Sequence, residues 1–489
     1  MKTEPPIQSQ EPQERSYRAS GSHLLPWVAW GVVILVLVLK GLLPAVASSE
    51  PSKGQEAQSA ALVDVVMKLQ GRMTLAAKQF ADMQKSPMPE DQILVLEVGS
   101  IRQRQQAAAL AGVLFGRQGA LDSLDRLKTA ASQADHSLSD VQLQTNQAIA
   151  DAFKDQEDPT ADTERKQTLS STQQALLSKE LGWFGELIIA RTQPGEEAAW
   201  KSIQINAMTL LFVVIGAMIA IGLLGVLGFI GLILGLVWSF SGRLEALRDS
   251  GCPGLYIETF AIWLVVFLIL SELFGLIGLG IAGSIIVFFL SLVSLAWLPI
   301  RGRSFARSCS EIGLTTGRGL VREIACGVAG FVMMIPILML GVLGTLIMVK
   351  LSELMAPSEP GFESNAGAAH PIFSIFDQAT TMQLVAVFIT AAVAAPIVEE
   401  IAFRGLLYRH LRDGSRGLRT WFSIAMSALV SGFIFAAIHP QGWVAIPALG
   451  CLGAAFALAR EWRQCLIAPM VMHGLQNGLV LTFVLLLIG

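Results

Sequence analysis

The chain has 489 residues, 53% of them hydrophobic and 15% charged, with a formal net charge of −3 and a mean hydropathy of +0.56. Soluble domains carry about 25% charged residues, so the composition is that of a membrane protein, and the near-neutral balance offers no electrostatic footing for nucleic acid. None of its five cysteines forms a CxxC pair, which gives no zinc ribbon or thiol redox motif; they read as small apolar residues in or near spans.

Residues 1–23 are rich in Gln, Glu and Pro and read as a disordered cytoplasmic tail. Residues 24–47, "LLPWVAWGVVILVLVLKGLLPAVA", are long enough to cross a bilayer, which takes about 20 residues. Their Ala45-Val46-Ala47 end resembles a signal-peptidase site, but the leading tail is long for a signal peptide and favours a first span or signal anchor.

Residues 48–203 change to Ala, Gln, Asp, Glu and Lys, the composition of an extracytoplasmic soluble helical domain. Leu62, Val66, Leu69, Met73, Ala76, Phe80 and Met83 alternate spacings of four and three and predict a coiled-coil-like seam. Further helices are expected at 91–116, 119–155 and 166–192, broken at "KSPMPED" and "KDQEDPTAD". This stretch holds no catalytic constellation and reads as a spacer or a surface for a protein partner. His136 reads as a solvated helix residue.

Residues 204–319 hold further spans and a basic cytoplasmic loop. Spans are expected near 205–240, 257–275, 278–299, 325–349, 379–402, 420–438, 443–459 and 465–488, the first of them overlong and Gly-rich. Arg301, Arg303, Arg307, Arg318 and Arg322 fall in one connection, Arg409, Arg412, Arg416 and Arg419 in another, and Arg460 and Arg463 in a third. Residues 352–377 contain neither Lys nor Arg. The alternation fits about nine spans with the N-terminus cytoplasmic and residues 48–203 outside. The fold class expected is therefore all-α: a polytopic membrane helix bundle with an inserted extracytoplasmic helical domain.

Within residues 320–489, "APIVEEIAFRGLLYRHL" at 395–411 puts Glu399, Glu400 and Arg404 in a segment otherwise built for lipid. Each such group costs about 2.5–3.5 kcal/mol at a helix centre. Glu400 and Arg404, four apart, share a helical face and can pair, which leaves Glu399 as the odd carboxylate and a candidate general base. "FAAIHPQ" places His439 four residues after Phe435, and "MHGLQNG" places His473 and Asn477 four apart. Polar side chains also hydrogen-bond between membrane helices for structural reasons. Glu, His, His and Asn from three spans in sequence nonetheless point to an intramembrane hydrolytic site. A straight seventh span would carry His439 about 28 Å along its axis, so the site residues converge if the seventh helix tilts or starts deeper or, the favoured reading, if the motif helix continues past residue 402 and places Glu399 lower in the membrane.

Glu-Glu-x-x-x-Arg at 399–404, Phe-x-x-x-His at 435–439 and His-x-x-x-Asn at 473–477 together resemble the motifs of the CAAX prenyl protease and bacteriocin-processing family, the Abi family of intramembrane proteases. "FRG" at 403–405 continues the first motif. The resemblance covers the last hundred residues or so and marks 320–489 as a protease core. It implies that Glu399 and His439 activate the attacking water, that His473 and Asn477 stabilise the oxyanion, and that Glu400 and Arg404 hold Glu399. A metal-free reaction is favoured because Asn477 suits an oxyanion better than zinc. The alternative is zinc or another divalent metal on His439, His473 and Glu399. The implied partners are membrane lipid and a peptide or protein substrate, either lipidated near its C-terminus or a small peptide, in a bacterial plasma membrane. The competing readings are a transporter or sensor with buried charges, and an inactive immunity or scaffold relative.

Overall fold

The computed structural model describes residues 24–47, 53–86, 88, 93–94, 96–155, 168–241, 246–355 and 380–488. The tail 1–23, most of "KDQEDPTAD" and nearly all of the arginine-free stretch 352–377 lie outside the described residues. Every regular element described is a helix. Packing divides the chain into two compact units, one comprising 51–222, 351–378 and 483–489, the other 1–50, 223–350 and 379–482.

In the first unit α2 (Lys53–Met83), α3 (Ile101–Gln133), α4 (Asp140–Ala152), α5 (Ser171–Leu181) and α6 (Trp183–Thr192) enclose an apolar core, joined by the start of α7 (Glu197–Phe240). Three of these helices begin with the same device: Ser100, Ser139 and Ser170 each cap the backbone three residues on, and Gln103, Gln142 and Gln173 return the bond. The helix expected over 119–155 is therefore two, divided at residues 134–139, and exposed His136 lies in that connection and not on a helix. Gly182, at φ 59°, likewise divides the helix expected over 166–192. Gly116 interrupts α3 with φ 72°, where a break was expected, but the helix resumes at once.

The seam expected on α2 is only partly the buried face. Ala76 of the seam is buried, but Val66, Phe80 and Met83 are exposed, and Met67 and Leu75 beside the seam are buried. The cause is Gly71, where a Cβ would stand 2.8 Å from Phe184 Cε1 and 2.9 Å from Trp183 Cζ3. The contact line runs through a glycine, which carries no weight in a hydrophobic pattern, and Arg72 beside it lies over the Trp183 ring.

The protein is a polytopic helical membrane protein. Eight described helices are long and apolar enough to cross a bilayer: α7, α8 (Pro253–Ile277), the stretch Gly283–Ile300, α12 (Leu320–Met355), α13 (Thr381–Gly414), α14 (Thr420–Ala437), α15 (Ile446–Arg463) and α16 (Ile467–Ile488). They match the eight spans expected after the helical domain. α9 (Gly280–Ser291) and α10 (Trp297–Ile300) make up Gly283–Ile300, and α11 (Phe305–Ile312) follows. Apolar α1 (Leu24–Ala47) belongs to the same unit as α8 to α16, burying Ala29 and Val33 in their core.

As expected, the motif helix does not stop at 402. α13 runs on to Gly414, but two stretches, Thr390–Ala394 and Ile401–Leu407, are π-helical. Such insertions re-aim side chains and gather at functional sites. Rings from three helices pack around its middle: Phe260 and Trp263 of α8 on Phe403, and Phe403 edge-on against Phe435 of α14 at 5.1 Å. Beyond the rings, most of the arginines read as loop charges are bound to acids. Asp413 takes Arg409 at 3.0 Å, Arg416 at 2.9 Å and Ser250 at 2.5 Å. Glu461 takes Arg412 at 3.1 Å, Tyr408 at 2.8 Å and the Leu247 N–H at 3.0 Å. Arg463 grips Glu323, and Arg303 and Arg307 share Glu311 with Tyr256. Cys252, just before α8, is buried, and that burial pushes its thiol pKa up. A raised pKa and a buried position suit an inert packing residue.

Candidate active site

Between its π segments, α13 presents Glu399 and Glu400 on one short α-helical stretch, Ala395–Glu400. Pro396 stands at the start of that stretch and has no N–H to return to the carbonyls four or five residues upstream. Ala391 O is met instead by Asn477 Nδ2 of α16, at 2.7 Å. α16 can come this close because Gly474 faces α13, where a Cβ would stand 2.7 Å from Ala392 O. The proline, the π turn, the asparagine and the glycine therefore act as one joint that sets α16 against the two glutamates.

Glu400 and Arg404 are both 0% exposed and pair at 2.9 Å, as the four-residue spacing predicts. Removing one partner from such a pair leaves an uncompensated charge and costs about 3–5 kcal/mol. The guanidinium is further held by Gly453 O at 2.9 Å and lies over Phe435 and Phe456, 4.7 and 5.1 Å from their ring centroids. Gly453 reaches it because α14 and α15 cross backbone to backbone: a Cβ on Gly453 would be 2.7 Å from Gly432 Cα, and one on Gly432 would be 2.5 Å from Gly450 O.

The second partner of Glu400 is His473, whose Nδ1 lies 2.9 Å from Oε1. An ionised carboxylate only accepts, so Nδ1 donates. The imidazole stacks on Phe456 with centroids 4.9 Å apart and meets the edge of Phe435 at 5.9 Å. Its other nitrogen, Nε2, points toward Glu399 Oε2 at 3.8 Å. That separation is too long for a hydrogen bond, and a water or substrate atom lying beside the pair can reach both. Among the described residues Glu399 accepts no hydrogen bond, and its side chain keeps 15% exposure where Glu400 has none. Glu400 and Arg404 thus brace His473.

His439 stands in the turn just after α14. Its Nδ1 is 2.5 Å from Phe435 O, and a carbonyl can only accept, so the neutral ring keeps its lone pair on Nε2. Its ring lies 4.2 Å from that of Phe435, the side chain that also touches His473 and Arg404. Glu399, Glu400, Arg404 and His473 thus form one contiguous chain of contacts, His439 joins it through Phe435, and Asn477 is one helical turn from His473. Sequence reasoning missed Phe456, Gly453 and Gly432; the signal was the run of small residues at 450–455 opposite Gly432, which marks a close helix crossing.

Among the described residues no three His, Cys, Asp or Glu side chains gather where they could share a metal ion. His473 has Nδ1 committed to Glu400, and the side chains as placed do not form the three-ligand set that catalytic zinc takes.

Residues 381–479 match the family model described as Type II CAAX prenyl endopeptidase Rce1-like. Over 95 residues the chain is 34% identical to the membrane-embedded CAAX protease MroQ of Staphylococcus aureus (strain USA300), a stretch that makes up 19% of this chain and 38% of that protein. The chain thus spans well under half the length of the curated relative it matches. No solved structure matches it. Helix α13 through most of α16, with all six motif residues, is therefore the part of this membrane protein that is similar to the CAAX protease family, as its motifs imply.

Proposed function

We propose that this chain is an intramembrane endopeptidase in which Glu399 activates water for attack on a peptide carbonyl. The observation that carries the reading is the series Arg404–Glu400–His473–Glu399. Three of its members are buried and joined to one another, and the fourth is a carboxylate that accepts no hydrogen bond among the described residues, with an imidazole nitrogen 3.8 Å away. That is the arrangement of a base and an orienting group.

Glu399 takes a proton from water as the hydroxide oxygen bonds to the carbonyl carbon, and the carbonyl electron pair moves onto its oxygen. His439 Nε2 is a second acceptor for the same water. His473, as imidazolium, donates Nδ1–H to Glu400 and Nε2–H to the new oxyanion. Asn477 spends one amide hydrogen on Ala391 O and has a second for that oxygen. Collapse breaks the C–N bond, and Glu399 returns its proton to the leaving amine.

Similarity to CAAX proteases supports a protein or peptide substrate, lipidated near its C-terminus or small enough to enter from the bilayer. The helical domain, residues 48–203, reads as a docking domain outside the membrane. Incubating the full chain in lipid nanodiscs with prenylated and unprenylated quenched-fluorescence peptides tests the assignment. The parent is expected to cleave, to keep doing so after exhaustive chelation, and to lose about 10²–10³ in turnover as Asn477→Ala, the usual loss for one oxyanion donor. Cleavage that stops on chelation and returns with zinc would replace the metal-free reading. Full turnover in Asn477→Ala would remove the asparagine's role.

A further inference from the structure

We propose that Lys40 of α1, which lies outside the family match, is a positioning residue for His439, so that the N-terminal apolar helix is a retained working part of the site. The inference rests on the protease reading for its consequence in turnover, but not for its geometry.

α1 is fastened to the site unit at three levels. At its start, Pro26 sits where Gly254 of α8 lacks a side chain; a Cβ there would be 2.7 Å from Pro26 Cγ. Next, Trp30 Nε1 donates to His410 Nε2 on α13 at 3.1 Å, and Val33 is fully buried beside it. Ten residues after Trp30, about 15 Å along a helix, Lys40 Nζ donates to Ile438 O at 3.0 Å.

Ile438 ends α14, and its carbonyl belongs to the peptide that leads into His439. The last carbonyls of a helix have no partner inside it. Here Ile434 O is met by Ile438 N–H at 3.3 Å, Phe435 O by the His439 ring, and Ala436 O by His439 N–H at 3.1 Å. Ile438 O is met by Lys40, a cation at the negative end of the helix dipole. The histidine's ring, its own N–H and the carbonyl before it are thereby each held, the last from a helix some 400 residues away in sequence, |i−j| being 398. On this proposal the segment ending Ala45-Val46-Ala47 stays attached, since cutting there would release the helix that holds the turn.

The test compares the full chain in nanodiscs with Lys40→Met, Lys40→Gln and Lys40→Arg. Carbethoxylation of His439 by diethyl pyrocarbonate, read by mass spectrometry against exposed His136, is expected to speed up about threefold or more in Lys40→Met and to return to the parent rate in Lys40→Arg. kcat is expected to fall about tenfold in Lys40→Met with KM unchanged, within the loss that an ångström of misplacement causes. If Lys40→Met does not fold, Lys40→Gln, which keeps an N–H donor without the charge, is expected to fall between parent and that loss. Intact mass of the purified parent is expected to include residues 24–47. An unchanged His439 rate in a folded Lys40→Met or Lys40→Gln chain, or a fully active chain that begins after Ala47, overturns the proposal. An inactive parent whose His439 rate still depends on Lys40 would instead count against the protease reading alone.

Discussion

Helix α13 carries two clusters of charge only a few residues apart, and they are built on opposite plans. At Arg409–Arg416 every acid is saturated: Asp413 accepts from two arginines and a serine, and Glu461 from an arginine, a tyrosine and a backbone N–H. At Glu399–Arg404 one carboxylate oxygen of Glu400 has no partner, and Glu399 accepts no hydrogen bond among the described residues. Leaving a buried acceptor unmet costs about 1–3 kcal/mol, more when it is charged. On the proposed reading, the saturated cluster locks helices together and the unsaturated one keeps lone pairs for a reacting molecule. The number of charges in a membrane helix therefore says less about function than the fraction of their valences already used.

The sharpest way to break this comparison is at the unsaturated end. Glu399→Gln is expected to lower turnover by about 10²–10⁴ and to leave thermal stability at the parent's level, since no hydrogen bond is lost. Activity within a few-fold of the parent, measured on matched folded protein, would remove the base. Arg404→Ala strands Glu400 and is expected to cost about 3–5 kcal/mol and to abolish cleavage as His473 loses its brace, read by melting in nanodiscs together with peptide turnover. A protein as stable as the parent would show that the pair is wet.

At the saturated end, Arg412→Ala is expected to destabilise by a similar amount, about 3 kcal/mol, while each molecule that remains folded keeps the parent's kcat. Gly453→Ala is the smallest of these changes. Its methyl would stand 2.7 Å from Gly432 Cα and 3.3 Å from Arg404 Nη2, an overpacking that costs about 1–3 kcal/mol. A neutral melting shift there would mean that α14 and α15 cross more loosely than described.

The spans and the motif residues were legible in the sequence because both rest on local rules. About 20 apolar residues make a span, and a four-residue spacing pairs Glu400 with Arg404. Legibility fails where a glycine or a non-α turn decides the geometry. Gly71 shifts the buried face of α2 partly off the apolar seam, and Ser139 with Gln142 starts a helix inside what reads as one. The π turns around Glu399 are invisible to any 3.6-residue pattern, yet with Pro396 they leave Ala391 O open to Asn477. The arginine-rich loops read as topology signals, and their second use, as partners of acids, depends in part on contacts distant in the chain: Arg412 meets Glu461 at |i−j| of 49 and Arg463 meets Glu323 at 140. His473 read as an oxyanion donor, and only the fold shows that Glu400 holds its Nδ1.

The central claim is that the unsaturated cluster performs chemistry and the saturated one holds the fold. Measuring kcat and melting temperature side by side for Glu399→Gln and Arg412→Ala, in the same nanodiscs with the same peptide, tests it most directly. The account predicts a double dissociation: Glu399→Gln melts with the parent and does not cleave, whereas Arg412→Ala melts lower and cleaves at the parent's rate below its transition. Loss of stability in the first with retained turnover, or loss of turnover in the second with retained stability, would contradict it.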